Sequence, residues 1–173
     1  MFKMISLKKI NNNVFTIFQK NNVICVIIII SIFLFDRLSK IKIINHQTDN
    51  QRIYINDFIN FDLVWNNGIG FGLLSYNSSL LYNSITAIIS AVIIFLIYLT
   101  VKSKFIDRVS FSIVIGGALG NFYDRLVYFA VPDFIDLHYD NFHWFTFNIA
   151  DIFITIGIIL LIVQDLFFKN ETN

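Results

Sequence analysis

Four long apolar stretches constrain what this 173-residue chain can fold into. A helix needs about 20 predominantly apolar residues to cross a lipid bilayer. The composition agrees with several such helices, since 56% of the residues are hydrophobic and 14% are charged, whereas about 25% are charged in an ordinary soluble domain. We therefore predict one all-α membrane domain over residues 1–173. Its four transmembrane helices are predicted at about residues 22–44, 80–101, 108–127 and 148–168.

The distribution of lysine and arginine predicts how these helices cross the membrane. Short loops on the cytoplasmic side of a membrane carry an excess of both residues. Here they lie before the first span, between the second and third, and after the fourth: Lys3, Lys8, Lys9, Lys20, Lys102, Lys104, Arg108 and Lys169. Both termini are therefore predicted to be cytoplasmic, and the loops of about residues 45–79 and 128–147 to be external. The formal net charge is +1 and no basic patch is interleaved with aromatic residues, so no nucleic-acid partner is expected.

The first external loop has a pattern of its own. Between Asn60 and Asn66 the side chains alternate in the way that is typical of a half-buried strand. The segment that follows contains Gly68, Gly70 and Gly72, which permit a turn or the close approach of a ligand to the backbone. We predict a small β-sheet on the external membrane face.

Charged and small residues inside the spans are spaced so that they can find partners. Asp36 and Lys40 are four residues apart on one helix face, with the acid N-terminal to the base. Gly116 and Gly120 form a small-xxx-small pair, which lets another helix approach closely. Three polar residues share a face at the outer end of the third span: Asn121, Asp124 and Arg125. Taken singly, each of these features is explained most simply as a structural contact.

Asp133 and Asp151 differ from the other acids because no cation lies within a helical turn of either. Keeping a carboxylate beside a membrane-spanning segment costs free energy, so such a residue usually has a function. Pro132 fixes one backbone angle, so we expect Asp133 to be presented from a constrained loop. Asn148 lies three residues before Asp151 and could orient its carboxylate. The arrangement is typical of an aspartic dyad, in which one carboxyl keeps its proton and the other activates water.

The second external loop also contains acids and histidines that suggest a metal site. They are Asp133, Asp136, His138, Asp140 and His143. Their spacing matches no compact zinc pattern, and loops rich in acids are common. We therefore expect that no metal and no organic cofactor is required. Serine catalysis is disfavoured because the serines near the outer face lack a nucleophile motif.

Two noncatalytic functions remain as alternatives. In a small membrane transporter, or a protein that conducts protons or cations, the acids would relay or bind the ion. Such a protein is expected to contain internal repeats or broken helices near the bilayer midplane, whereas the polar residues here gather at the outer ends of the spans. In a noncatalytic assembly factor, neutralising one of the two acids would change partner binding rather than peptide cleavage.

Read as ordered blocks, the sequence resembles the lipoprotein signal peptidases, also called signal peptidase II. Five blocks carry the resemblance, at residues 36–40 (DRLSK), 66–72 (NNGIGFG), 116–125 (GGALGNFYDR), 131–134 (VPDF) and 147–151 (FNIAD). Each block alone is a weak match. Their order on a four-span chain makes the resemblance specific.

The resemblance implies an intramembrane aspartic endopeptidase of the bacterial cytoplasmic membrane. Such enzymes remove the signal peptide from prolipoproteins just before a diacylglyceryl-modified cysteine, and they carry a small external sheet that cradles the substrate. By position in the motifs, Asp133 and Asp151 correspond to the catalytic pair. Five residues correspond to positions that line or support the active site: Asn66, Gly68, Asn121, Arg125 and Asn148. Three correspond to structural supports: Asp36, Lys40 and Asp124.

The implied partners are lipidated prolipoproteins and membrane lipid, and we expect a monomer. The chain also departs from the family pattern near the substrate. It has Ile69 and Gly70 where the family commonly has two alanines, and Pro132 where a small aliphatic residue is usual. Phe145 stands where the family usually has a proline. These differences affect the expected side-chain preference around the cleaved bond, and leave the reaction class unchanged.

Overall fold

The structure is a computed structural model that describes residues 20–46, 52–68 and 78–168. Four helices lie in these ranges: α1 (Lys20–His46), α2 (Ser78–Lys102), α3 (Phe105–Tyr128) and α4 (Ile149–Phe168). All four are long and apolar enough to cross a membrane, which confirms the four predicted spans. Lys3, Lys8, Lys9, Lys169, Gly70 and Gly72 lie outside the described residues.

A small antiparallel sheet accompanies the helices, as the sequence predicts. Its strands are β1 (Ile53–Asn56), β2 (Ile59–Asn66), β3 (Val131–Tyr139) and β4 (Phe142–Phe147), in the spatial order β1-β2-β3-β4. The alternating segment of the first external loop forms β2. The other three strands were not predicted from the sequence.

Asp133 lies in strand β3, so the prediction of a constrained loop at this position was wrong. Strand β3 pairs with β2 on one side and with β4 on the other, and its first six residues are all buried. A strand covered on both faces has no apolar-polar alternation, and therefore gives no period-2 signal in the sequence. Pro132 is tolerated because it stands at the beginning of the strand, where a missing N–H costs least.

Helix α3 is the centre of the helical layer and packs against each of the other three helices. Small residues allow this close packing. A Cβ atom added at Gly116 would lie 2.9 Å from the Cβ of Ile32 on α1, and one added at Gly120 would collide with the carboxylate of Asp36. The predicted small-xxx-small contact is therefore present and joins α3 to α1.

The sheet packs on one end of the helical layer. Its buried core consists of Phe134 and Ile135 from β3 together with Ile43 near the C-terminal end of α1. Two residues separate the end of α3 from the beginning of β3, and one residue separates the end of β4 from the beginning of α4. The C-terminal ends of α1 and α3, the N-terminal end of α4 and the sheet therefore meet in one region.

Candidate active site

Asp133 is buried at this junction and is held by two side-chain amides. It is 4% exposed. Its Oδ2 accepts a hydrogen bond of 2.9 Å from Nδ2 of Asn66 on β2, and its Oδ1 accepts one of 2.6 Å from Nδ2 of Asn148. Both partners are neutral, so the carboxyl group is oriented without being tied to a cation.

Asp151 lies in the first turn of α4 and is half-buried. Its Oδ1 accepts a hydrogen bond of 2.7 Å from Nδ2 of Asn121 on α3, and its Oδ2 accepts one of 3.1 Å from the backbone N–H of Asn148. The backbone N–H of Asp151 donates in return to Oδ1 of Asn148 at 3.1 Å. This reciprocal pair is a capping box, in which the residue before the helix and the third residue inside it satisfy each other's N–H groups.

Asn148 therefore joins the two acids. Its side chain caps α4 and donates to Asp133, while its backbone N–H donates to Asp151. The side chain is fully buried. Among the described residues, neither Asp133 nor Asp151 forms a salt bridge. We call these two residues the amide-held pair.

The surroundings of Asp133 favour its protonated form. Burial raises the pKa of this carboxyl above its ordinary value of 3.8, and the nearby negative charge of Asp151 raises it further. The hydrogen bonds from Asn66 and Asn148 and the positive charge of Lys40 lower this pKa, but they do not cancel the effect of burial. One member of the pair is thus placed to keep a proton beside a second carboxylate.

A second group of acids lies directly behind the amide-held pair. We call it the cation cluster, and its members are Asp36, Arg37, Lys40 and Asp124. The Nζ atom of Lys40 lies 2.8 Å from Oδ2 of Asp36 and 2.7 Å from Oδ2 of Asp124, and Arg37 donates to Oδ1 of Asp124. Asp36, Lys40 and Asp124 are fully buried. The charges of two acids and two bases balance, which lowers the free-energy cost of burying them in an apolar interior.

Two hydrogen bonds connect the cation cluster to the elements that carry the pair. The Nζ atom of Lys40 donates to Oδ1 of Asn121 at 2.8 Å, and Asn121 in turn holds Asp151. The backbone N–H of Ala150, in the first turn of α4, donates to Oδ1 of Asp36 at 2.9 Å. The cluster therefore fixes both the amide that holds Asp151 and the start of the helix that contains it.

Gly68 and Arg125 border the pair on the side of strand β2. Gly68 has φ of +72°, a conformation that favours glycine, and a Cβ atom added there would lie 3.1 Å from Nη1 of Arg125. Its backbone N–H donates to Oδ1 of Asn66 at 2.8 Å, which orients the amide that holds Asp133. Within the described part of the chain, Nε and Nη1 of Arg125 have no hydrogen-bond partner, although both are buried. An N–H donor of this kind can bind a carbonyl or carboxylate group.

The structure brings all ten predicted site residues together at the junction of the helices and the sheet. Sequence reasoning missed three contributors: Arg37, Tyr82 and Ala150. The hydroxyl of Tyr82 on α2 donates to the backbone oxygen of Arg125 at 2.7 Å. Arg37 had a usable signal, because a charge inside an apolar span requires a partner. Tyr82 and the backbone of Ala150 had none, since their roles depend on which helices are neighbours.

Two neighbouring carboxyl groups, held by amides where apolar helices meet a small sheet, are groups that can carry out acid–base hydrolysis in a membrane protein. Comparison with known proteins specifies the class. The family model "Signal peptidase (SPase) II" matches residues 27–167. The chain belongs to the signal peptidase II family, whose members are aspartic proteases.

Individual relatives agree with this assignment. The chain is 51% identical over 154 residues to a lipoprotein signal peptidase of Pelagibacter ubique (strain HTCC1062), an alignment that covers 88% of this chain and 93% of the relative. It is 40% identical over 126 residues to a lipoprotein signal peptidase of Francisella tularensis subsp. novicida (strain U112), covering 70% and 78% of the two chains. Among solved structures, a bacterial membrane enzyme determined by the in meso method at 2.3 Å resolution is similar, with a TM-score of 0.70, 31% identity and coverage of 86% and 91%.

Proposed function

We propose that this protein removes the signal peptide from lipidated prolipoproteins, cutting just before the diacylglyceryl-modified cysteine, and that Asp133 and Asp151 activate the attacking water. The observation that carries the proposal is the amide-held pair itself. Two neighbouring carboxyl groups are oriented by Asn66, Asn121 and Asn148, and within the described residues neither forms a salt bridge. Such carboxyls remain free to exchange protons with a water and a substrate.

The two acids have different roles in the proposed reaction. Asp133 is the more buried and its raised pKa favours the protonated carboxyl, so it donates a hydrogen bond, and then a proton, to the scissile carbonyl oxygen. Asp151 acts as the general base: it removes a proton from the water that attacks the carbonyl carbon, and later returns it to the leaving nitrogen. As the C–N bond breaks, Asp133 takes a proton back from a hydroxyl group of the tetrahedral intermediate, which becomes the new carboxyl carbonyl. Each carboxyl therefore ends the cycle in its starting state.

The remaining site residues position the substrate or the pair. Asn66, Asn121 and Asn148 orient the two carboxyls. Gly68 leaves room for the substrate backbone, and the two donors of Arg125 that have no partner among the described residues bind one of its carbonyl groups. Asp36, Lys40 and Asp124 support the site through the charge-balanced cluster. Neither a metal nor an organic cofactor takes part in this scheme.

The proposed orientation places the termini in the cytoplasm and the active site near the external membrane face. Lys102 and Lys104, at the turn between α2 and α3, lie at the opposite end of α3 from the site, which fits the cytoplasmic enrichment of lysine. The sheet carries exposed aromatic side chains, including Phe142 and Trp144, of the kind that settle at a membrane interface. A lipidated precursor would then reach the pair by lateral diffusion in the bilayer. We propose that the protein acts as a monomer and that no nucleic acid takes part in the reaction.

Cleavage of a defined precursor by the purified protein tests this function. The full chain in detergent micelles is incubated with a synthetic diacylglyceryl-modified precursor, and the products are identified by mass. We expect a single cut before the modified cysteine, no cut in the same precursor without its lipid, and no cut by an Asp151→Asn preparation purified in parallel. Equal cleavage by the Asp151→Asn preparation would contradict the assignment of the pair.

A further inference from the structure

Strand pairing gathers four potential ligands on one face of the sheet. Asp136 and His138 are two residues apart on β3, so their side chains point to the same face. His143 on β4 is the cross-strand partner of His138, and Asn60 on β2 is the cross-strand partner of Asp136. Three adjacent strands therefore contribute to one cluster. Asp133 is three residues before Asp136 on the same strand, which directs it to the other face.

The ligating atoms of this cluster lie close enough together for small side-chain rotations to bring them to the spacing that a metal ion requires. One atom each of Asp136, His138 and His143 lies within 4.8 Å of the others. Oδ2 of Asp136 lies 2.8 Å from Nδ1 of His143 and 3.7 Å from Nδ1 of His138. A tetrahedral zinc ion with bonds of 2.0–2.1 Å separates its ligand atoms by about 3.4 Å. The two observed separations lie on either side of this value.

Asn60 gives a second and independent indication. It is 5% exposed, and its Oδ1 has no hydrogen-bond partner among the described residues. Its Nδ2 lies 3.3 Å from Nε2 and 3.4 Å from Nδ1 of His138, so the amide contacts the imidazole close to both ring nitrogens. A histidine that binds metal through one nitrogen donates the N–H of the other to an oxygen. A half-turn of the Asn60 amide exchanges Oδ1 with Nδ2, so that Oδ1 lies near this ring and can accept that N–H, while Nδ2 takes the position that Oδ1 leaves.

We propose that Asp136, His138 and His143 bind one zinc ion, with Asn60 accepting the second N–H of His138. Two imidazoles and one carboxylate favour a zinc-like transition metal over magnesium or calcium, which prefer oxygen ligands. The side chain of His143 is 41% exposed, so the ion enters from solvent and keeps one position for water. The ion fastens β4 to β3. The proposal does not rest on the proposed peptidase activity, because the two sites use different residues on different faces of β3.

Zinc content after dialysis tests the site directly. The full chain is purified in detergent through a tag without histidine, stripped with a chelator and dialysed against zinc chloride, and bound zinc is measured by elemental analysis. We expect one zinc per chain for the unaltered protein and loss of that zinc in His143→Ala. An unaltered protein that retains no zinc overturns the proposal, and retention of as much zinc by His143→Ala overturns the ligand assignment.

The chain offers a matched control, because it contains three histidines and the third, His46, ends helix α1 outside the cluster. His46→Ala should retain one zinc, and loss of zinc from this variant would contradict the site. Dialysis against magnesium chloride should leave no bound magnesium, and stoichiometric magnesium would contradict the ion class. Asn60→Ala should weaken zinc binding by about 10- to 100-fold, the usual effect of removing the hydrogen-bond partner of a metal-bound histidine. An unchanged affinity would contradict the role assigned to Asn60.

A measurement on the unaltered protein avoids the possibility that a variant loses zinc because it is misfolded. Cobalt chloride added to the stripped, unaltered protein should give the visible absorption of a tetrahedral cobalt site, and zinc chloride should abolish it by displacement. An octahedral cobalt spectrum that zinc leaves unchanged would contradict the proposal. Far-ultraviolet circular dichroism of each variant confirms that the helices are retained.

Discussion

The amide-held pair and the cation cluster contact Asn121 from opposite sides, yet their carboxylates are bound in different ways. In the cluster, Lys40 and Arg37 balance Asp36 and Asp124. In the pair, every described partner is an uncharged amide. A carboxylate that is paired with cations is engaged in strong ion pairs, whereas one held by amides is oriented and remains able to take up or release a proton. The difference separates acids that hold the helices together from acids that are placed to react.

Removing one acid of the cluster should produce the largest loss of stability. Asp124→Asn leaves Lys40 and Arg37 with one carboxylate between them in a buried site. Breaking a buried ion pair in this way costs about 3–5 kcal/mol. We expect a lower membrane yield and a lower free energy of unfolding in detergent micelles, measured by denaturant titration. A stability equal to that of the unaltered protein would contradict the structural role of the cluster.

Changes at Asn148 separate helix capping from orientation of the pair. Asn148→Ala removes the cap of α4, which lowers the stability by about 0.5–2 kcal/mol. It also removes the hydrogen bond to Asp133. Misplacing a reacting group slightly lowers the rate by about 10²-fold. We expect Asn148→Ser to be as stable as the unaltered protein, because serine caps helices well. Its cleavage should remain impaired, because the serine side chain is too short to reach Asp133. Full activity of Asn148→Ser in the precursor assay would show that orientation by this amide is unimportant.

The dependence of cleavage on pH should report the proton on Asp133. The pKa of this carboxyl is raised above its ordinary value, so the protonated form predominates below the raised value and is lost as the pH rises through it. Cleavage should therefore decline on the alkaline side. Asn66→Ala removes a hydrogen bond that stabilises the charged form, which raises the pKa of Asp133 further. The decline should move to higher pH in this variant, and a movement to lower pH would contradict the assigned roles.

An exposed ion pair provides the smallest expected effect. Arg52 and Asp62 are paired at 2.8 Å with side chains that are 48% and 36% exposed. Solvent screens such pairs, and their loss costs about 0.2–1 kcal/mol. Arg52→Ala should change neither precursor cleavage nor the unfolding midpoint appreciably. A loss as large as that of Asp124→Asn would show that burial does not distinguish the two kinds of ion pair.

The sequence predicts the parts of this molecule that depend on local spacing. The four spans follow from the apolar length that a bilayer demands, and the contact of Asp36 with Lys40 follows from a four-residue separation. The capping role of Asn148 is likewise local, since it depends on Asp151 three residues later.

Features that depend on which elements are neighbours could not be predicted in this way. Strand β3 has no alternating pattern because both of its faces are covered, and Asp133 was therefore assigned to a loop. His143 meets Asp136 and His138 only after β4 pairs with β3, so the sequence spacing of these three residues resembles no metal motif. A Cβ atom added at Gly117 would lie 2.5 Å from the backbone oxygen of Ala150, because α4 packs closely on α3, and nothing in the segment around Gly117 indicates this neighbour.

The central claim is that the amide-held pair carries out the reaction, whereas the cation cluster stabilises the fold around it. The most direct test measures precursor cleavage per folded molecule for Asp133→Asn, Asp151→Asn and Asp124→Asn side by side, with folded protein quantified by circular dichroism and by elution as a single species. We expect Asp133→Asn and Asp151→Asn to be well folded and to lose about 10²- to 10⁴-fold in rate, the usual contribution of a general acid or base, while Asp124→Asn loses folded protein and keeps most of its rate per folded molecule. The opposite result, with Asp124→Asn well folded and inactive and either pair variant active, would contradict the account.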